Sequence, residues 1–125
     1  MPSSRRVRSL LEWCLSRMPK KKEKGHCYIF VRQDLSIAQQ MVQGQHAAML
    51  LGSQLSVEEA SSNLVLVGTR DKYNLFEVVD LLGTHRIAHI LWFEDDHGTG
   101  LTAVATFPLR GKERAPLLVF RLLTL

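Results

Sequence analysis

Apolar positions between residues 26 and 125 follow two rhythms, one of strands and one of helices. Cys27-Tyr28-Ile29-Phe30-Val31 is a continuous, β-prone apolar run and predicts a buried strand. Arg32-Gln33-Asp34-Leu35 leaves that strand and Ser36 offers a cap. From Ile37 to about Leu51 the chain is rich in Gln, Ala, Met and Leu, which predicts a helix ending at Gly52-Ser53. Residues 63–68, Asn-Leu-Val-Leu-Val-Gly, predict a second buried strand. Asp71 is placed to cap a further helix, whose stripe is Leu75, Val78, Val79, Leu81 and Leu82 and which Gly83 closes. Ile87 to Phe93 and Thr102 to Phe107 predict a third and a fourth strand, and Leu117 to Leu123 a terminal strand or short helix. Pro108 and Pro116 bracket a turn-like stretch. Strands alternating with helices make βαβ units, and the last strands, with little helix between them, add antiparallel. The expected fold class is α/β: a three-layer sandwich with a mixed β-sheet of four to five strands between helices.

Residues 1–25 behave differently. Ser3 or Ser4 can cap a helix over residues 4–18 that puts Val7, Leu10, Leu11, Cys14 and Leu15 near one face and Arg5, Arg8 and Arg17 on or beside the other. Pro19 and Lys20-Lys21-Lys22 end that pattern as a solvated linker. Eight basic side chains stand here against Glu12 and Glu23, a net of +6. Residues 26–125 carry eight basic and ten acidic side chains, a net of −2. The isoelectric point of 9.4 therefore belongs to the arm and not to the domain that follows. Such an arm fits a plain appendage, an RNA-screening extension or an organelle-targeting segment, and its pattern does not choose among them.

The chain has 125 residues, 46% hydrophobic and 22% charged, which bounds the remainder to one globular domain. No apolar stretch approaches the ~18 residues of a membrane span, and a cytoplasmic place is the expectation that goes with reduced thiols, with organelle targeting by the arm left open. Cys14 and Cys27 have no CxxC spacing and read as two reduced thiols. His85 and His89 are four apart, but at a helix-to-strand junction they point at different neighbours, so no metal is expected. GxGxxG, GxxxxGK[ST] and GxSxG are absent, and no cofactor is implied.

Two clusters can carry chemistry. In the first long helix, Gln39, Gln43 and His46 fall within about 60° of one another, a polar stripe on an otherwise apolar element. Gly44 and Ala47 are small enough to admit another backbone or a ligand. The stripe is either a set of glutamines bonded to neighbouring backbone or a cleft floor with an accessible imidazole. The second cluster, residues 92–100, follows a strand and holds Glu94, Asp95, Asp96 and His97 between aromatic and glycine residues. It is either a solvated turn or the wall of a site beyond the carboxyl end of a strand.

Taken in order, these segments resemble the peptidyl-tRNA hydrolases of type 2. The resemblance rests on residues 28–35 (Tyr-Ile-Phe-Val-Arg-Gln-Asp-Leu), on Gln43-Gly44-Gln45-His46-Ala47-Ala48, on Glu94-Asp95-x-x-x-Thr99, and on Thr102 to Pro108. It covers about 100 residues. It implies a mixed sheet between helices and hydrolysis of the ester joining a peptide to the 3′ end of tRNA. Its implied catalytic residues are His46, Asp95 and Gln43, and its implied substrate-binding residues are Arg32, Asp34, Gln39, Thr99 and Thr102. Gln39 stands where the family carries a lysine. His46 would act as general base or position water, with Asp95 as its charged partner. Gln43 and the threonines would donate to the ester or ribose, and Arg32 and the arm would meet phosphates. A tRNA partner follows, a homodimer is left open, and the alternative is an inactive RNA-end or protein-binding module on the same fold.

Overall fold

Strand β1 (His26–Arg32) is buried along all but its first residue, because it has a neighbour on each side and a helix over each face. The computed structural model that shows this describes Leu10, Glu12 and residues 23–120. Leu10 and Glu12 are helical; the other residues of 1–22, Cys14 among them, and residues 121–125 lie outside the described residues. After β1 come α1 (Ile37–Gly52), a one-turn α2 (Val57–Ala60), β2 (Asn63–Thr69), α3 (Lys72–Thr84), β3 (His89–Glu94) and β4 (Gly100–Thr106), with 3-10 turns at Asp96–Gly98 and Gly111–Leu117. The sheet order is β2-β1-β4-β3, with β1 parallel to β2 and the other two pairings antiparallel. The fold is thus the expected mixed sheet of an α/β sandwich, with four strands.

Alternation along β1 divides the apolar interior. Tyr28 and Phe30 join Val67, Val104 and the α3 residues Leu75, Val78 and Leu82 on one face. Cys27, Ile29 and Val31 join Ala47 and Leu51 of α1 and Ala103 and Ala105 of β4 on the other. Cys27 is a free thiol, and burial pushes its pKa up against an opposing pull from Arg110. The helices start where the sequence places them. Ser36 accepts from the N–H of Gln39, and Asp71 from that of Asn74, each satisfying an orphan donor of the first turn. Gly44 admits the sheet rather than a ligand: a Cβ there would lie 3.3 Å from Val31 Cγ2 and 3.9 Å from Leu66 Cδ1.

Several boundaries differ from expectation. Gly83 lies inside α3, which runs to Thr84, and the left-handed residue of the exit is Arg86, at φ 54°. Strand β3 begins at His89 because the N–H of Ile87 still bonds to the carbonyl of Leu82. The segment before Leu117 is a 3-10 turn, and no described residue there is a strand. The second strand is buried only on its α3 face, at Val67 and Thr69, whereas on the other face Leu64 is 61% and Leu66 39% exposed. Helix α1 packs over β1, β4 and β3, and so leaves this face of the edge strand β2 uncovered. No helix among the described residues is long and apolar enough to cross a membrane.

The irregularity with most bearing on chemistry is in β4. Pairing with β3 jumps from Trp92↔Ala103 to Phe93↔Leu101, so Thr102 is an extra residue with no opposite. Such a bulge turns two successive side chains to one face. Leu101 stays in the α3 layer, while both Thr102 and Ala103 face α1.

Candidate active-site cleft

Strands β1, β2 and β3 all run the same way, and a cleft of about 440 Å³ opens beyond the carboxyl ends of β1 and β3. Leu35, Gln39, Val42 and Gln43 line it from the β1–α1 side, and Glu94, Asp96, His97 and Thr99 from the other. A cavity of similar size at the opposite end of the sheet is lined by His85, Arg86, Lys112 and Glu113. Only the first one contains an ordered relay of side chains built from both predicted clusters.

That relay starts at the bulge. The Thr102 hydroxyl, fully buried, donates to Gln43 Oε1 at 2.9 Å. Gln43, 1% exposed, uses its amide nitrogen to donate to Gln39 Oε1 at 3.1 Å and to Glu94 Oε2 at 3.0 Å. The carboxylate of Glu94 must accept, which fixes the orientation of the Gln43 amide. Gln39 accepts through its oxygen and thereby presents its NH₂ group to the cleft. Gln43 is a relay with both ends occupied rather than a free donor, and Thr102 is sealed from any substrate. Replacing Thr102 with valine keeps the shape and strands the Gln43 oxygen in the interior. Urea unfolding of Thr102→Val is expected to show a loss of ~1–3 kcal/mol, against less than ~0.5 kcal/mol for Thr99→Val at the partly open rim.

The acid that this relay holds is Glu94. Its other oxygen accepts from the N–H of Asp96 at 3.3 Å. The Gln43 amide first, and then this backbone N–H, hold the carboxyl of Glu94 below the ordinary range, with a smaller pull from His46. Asp95 is exposed, makes no side-chain bond at the start of its turn, and does not line the cleft. The family motif pointed at Asp95, whereas strand alternation carries Ile90, Trp92 and Glu94 toward α1. His97, at φ 57°, also reaches the cleft and was not singled out from sequence.

His46 is solvent-exposed one turn beyond Gln43, and its ring stacks on the Trp92 indole with centroids 4.7 Å apart and planes 8° from parallel. The imidazole is therefore oriented by a neighbour and stays open to water, and it is not among the side chains that line the cleft.

Arg32 does different work from that expected. It makes a bidentate pair with Asp34, at 2.9 Å through Nε and 2.7 Å through Nη2, and donates through Nη1 to the carbonyls of Thr99 (2.7 Å) and Leu101 (3.1 Å). Four of its five N–H donors are thus spent inside the protein. It clamps the start of β4 to the end of β1, and the same contact holds the Asp34 carboxyl below its usual range. Neither residue lines the cleft. Thr99 does, but its hydroxyl donates to the carbonyl of Asp96 at 2.8 Å. No Lys or Arg lines the cleft among the described residues, and no three His, Cys, Asp or Glu side chains among them converge as metal ligands.

No family model matches the chain, and no curated protein matches it significantly.

Proposed function

We propose that the chain hydrolyses the ester of peptidyl-tRNA, or of a related aminoacyl ester, and releases free tRNA. The observation that supports this most is the open imidazole of His46, stacked on Trp92 one helical turn from the Gln43 amide that holds the Glu94 carboxylate in place. A neutral imidazole can take a proton from water as that water attacks the ester carbonyl, and Glu94 offsets the positive charge that then develops on the ring. Asp95 gives up this role to Glu94 because of the side each faces. The Gln39 NH₂ group is the donor available to the ester oxygen or the terminal ribose. Phosphates of the acceptor stem fall to the +6 arm of residues 1–25, since Arg32 is committed elsewhere.

A second reading, a binding module that retains the cleft without the chemistry, is favoured by one observation. Glu94 and Asp96 both line the cleft, no Lys or Arg does so among the described residues, and Gln39 brings no charge to a developing oxyanion. Incubation with peptidyl-tRNA, scored as free tRNA released, separates the two. The hydrolase reading expects turnover by wild type. A well-folded wild type without turnover, with hydrolysis appearing only in Gln39→Lys, would establish the binder instead.

A further inference from the structure

We infer that the exposed edge of β2 is a self-association surface, through which two copies of this chain join their sheets around a twofold axis at Leu66. This inference is independent of the hydrolase reading. It starts from which backbone groups of β2 are occupied. The N–H of Asn63 donates to the carbonyl of Gly25, and the carbonyl of Thr69 accepts from the N–H of Gln33. Odd-numbered residues of the strand therefore turn their backbone groups toward β1. By strand alternation the N–H and C=O groups of Leu64, Leu66 and Gly68 point to the open side.

Native edges are commonly guarded by lysine, proline, a bulge or a covering helix. From Asn63 to Thr69 the strand has no charged residue, no proline and no bulge against β1. Two of the same three outward residues, Leu64 and Leu66, carry the apolar side chains that α1 leaves partly uncovered. Leu64 and Leu66 form one wall of an apolar groove of about 320 Å³, and Met41, 52% exposed, lies on its α1 side. Gln45 of α1 is also exposed at this rim.

The occupant that these features select is an antiparallel strand of the same sequence. Centring two β2 strands on Leu66 makes Leu66 a hydrogen-bonded pair with its own copy and sets Leu64 opposite Gly68 of the other. All the outward donors and acceptors then find partners, roughly six bonds in total. Leu64 leans over a residue with no side chain, on the same face of the joined sheet, so the leucines do not collide. Because the strand is uncharged, the twofold brings no like charges together along it. A contact of this size covers on the order of 1,000 Å², near the lower limit for a specific pair, and calls for a dimer that dissociates in the micromolar range. The product is one continuous sheet of eight strands with both α1 helices on the same side.

Sedimentation velocity on the full chain from about 1 to 100 μM tests this. Wild type is expected to shift from monomer to dimer mass over that range. Leu66→Lys, which opposes two ammonium groups at the axis, and Leu64→Lys are expected to stay monomeric with unchanged circular dichroism. A wild type that remains monomeric at 100 μM, or a dimer that well-folded Leu66→Lys leaves intact, overturns the inference. Position-specific cross-linking decides the matter should the lysine variants fold poorly. In a Cys14→Ser background, Leu66→Cys should oxidise to a reducible dimer, since paired Cα atoms here fall within disulfide reach of about 5.5 Å. Leu64→Cys, facing glycine, should not. Equal cross-linking at both positions, or none at Leu66, rejects the register.

Discussion

His46→Ala is expected to lower kcat/KM for peptidyl-tRNA by ~10²–10⁴-fold while leaving the fold intact, the range typical for removing a positioned general base. The exposure of the ring makes the second half of that statement specific. A solvent-exposed imidazole stacked on Trp92 fills no interior space. Its removal should shift thermal unfolding by little, and activity and stability should separate. Glu94→Gln makes the companion measurement. It keeps an acceptor for the Gln43 amide and removes the charge beside the ring, so its loss should be smaller and should fall on kcat more than on KM. A His46→Ala variant with full turnover would overturn this assignment of the base and would send the search to His97, the imidazole that lines the cleft.

Phe30→Ala should be the most damaging single truncation in the sheet, costing ~3–5 kcal/mol in urea or thermal unfolding. Phe30 has no exposed surface and lies in the central strand. Its ring packs edge-on to Phe120 at 5.1 Å and near Tyr28 at 6.4 Å, so the cavity left behind is walled by rigid groups that cannot collapse into it. Against a total stability of ~5–15 kcal/mol for a domain of this size, one such loss is a large fraction. Ile37→Ala gives the contrast. It is just as apolar, but 57% exposed in the first turn of α1, and should cost under ~0.5 kcal/mol. If both substitutions cost the same, the assignment of the α3 layer as the main apolar interior fails.

Local chemistry was the legible part of this chain. The apolar run of β1, the caps at Ser36 and Asp71 and the stripe of α3 all follow from rules that act within a few residues. The position of a strand in the sheet does not. The apolar run of residues 63–68 predicts a buried strand, and only the sheet order, with its long-range pairing, shows that β2 is an edge. The same limit applies to the cleft. Spacing brought Gln39, Gln43 and His46 together on one helix, but it could not show that Gln43 faces inward with both ends engaged, nor that Arg32 is clamped to two carbonyls sixty-odd residues away. Glu94 could have been found. With β3 extended by one residue, Glu94 falls on the face of Trp92, while Asp95 turns outward. The bulge at Thr102 had no local marker, since no glycine or proline occupies it.

The order of synthesis gives the central strand an unusual history. On the ribosome β1 emerges early and can join β2 as soon as the first crossover is complete. Its other flank has to wait for β4: Ile29 pairs with Ala105, 76 positions on. Until nearly the whole domain has left the exit tunnel, the most apolar strand of the protein has one bare side, and nascent chains stalled before residue 100 should be the ones that chaperones hold.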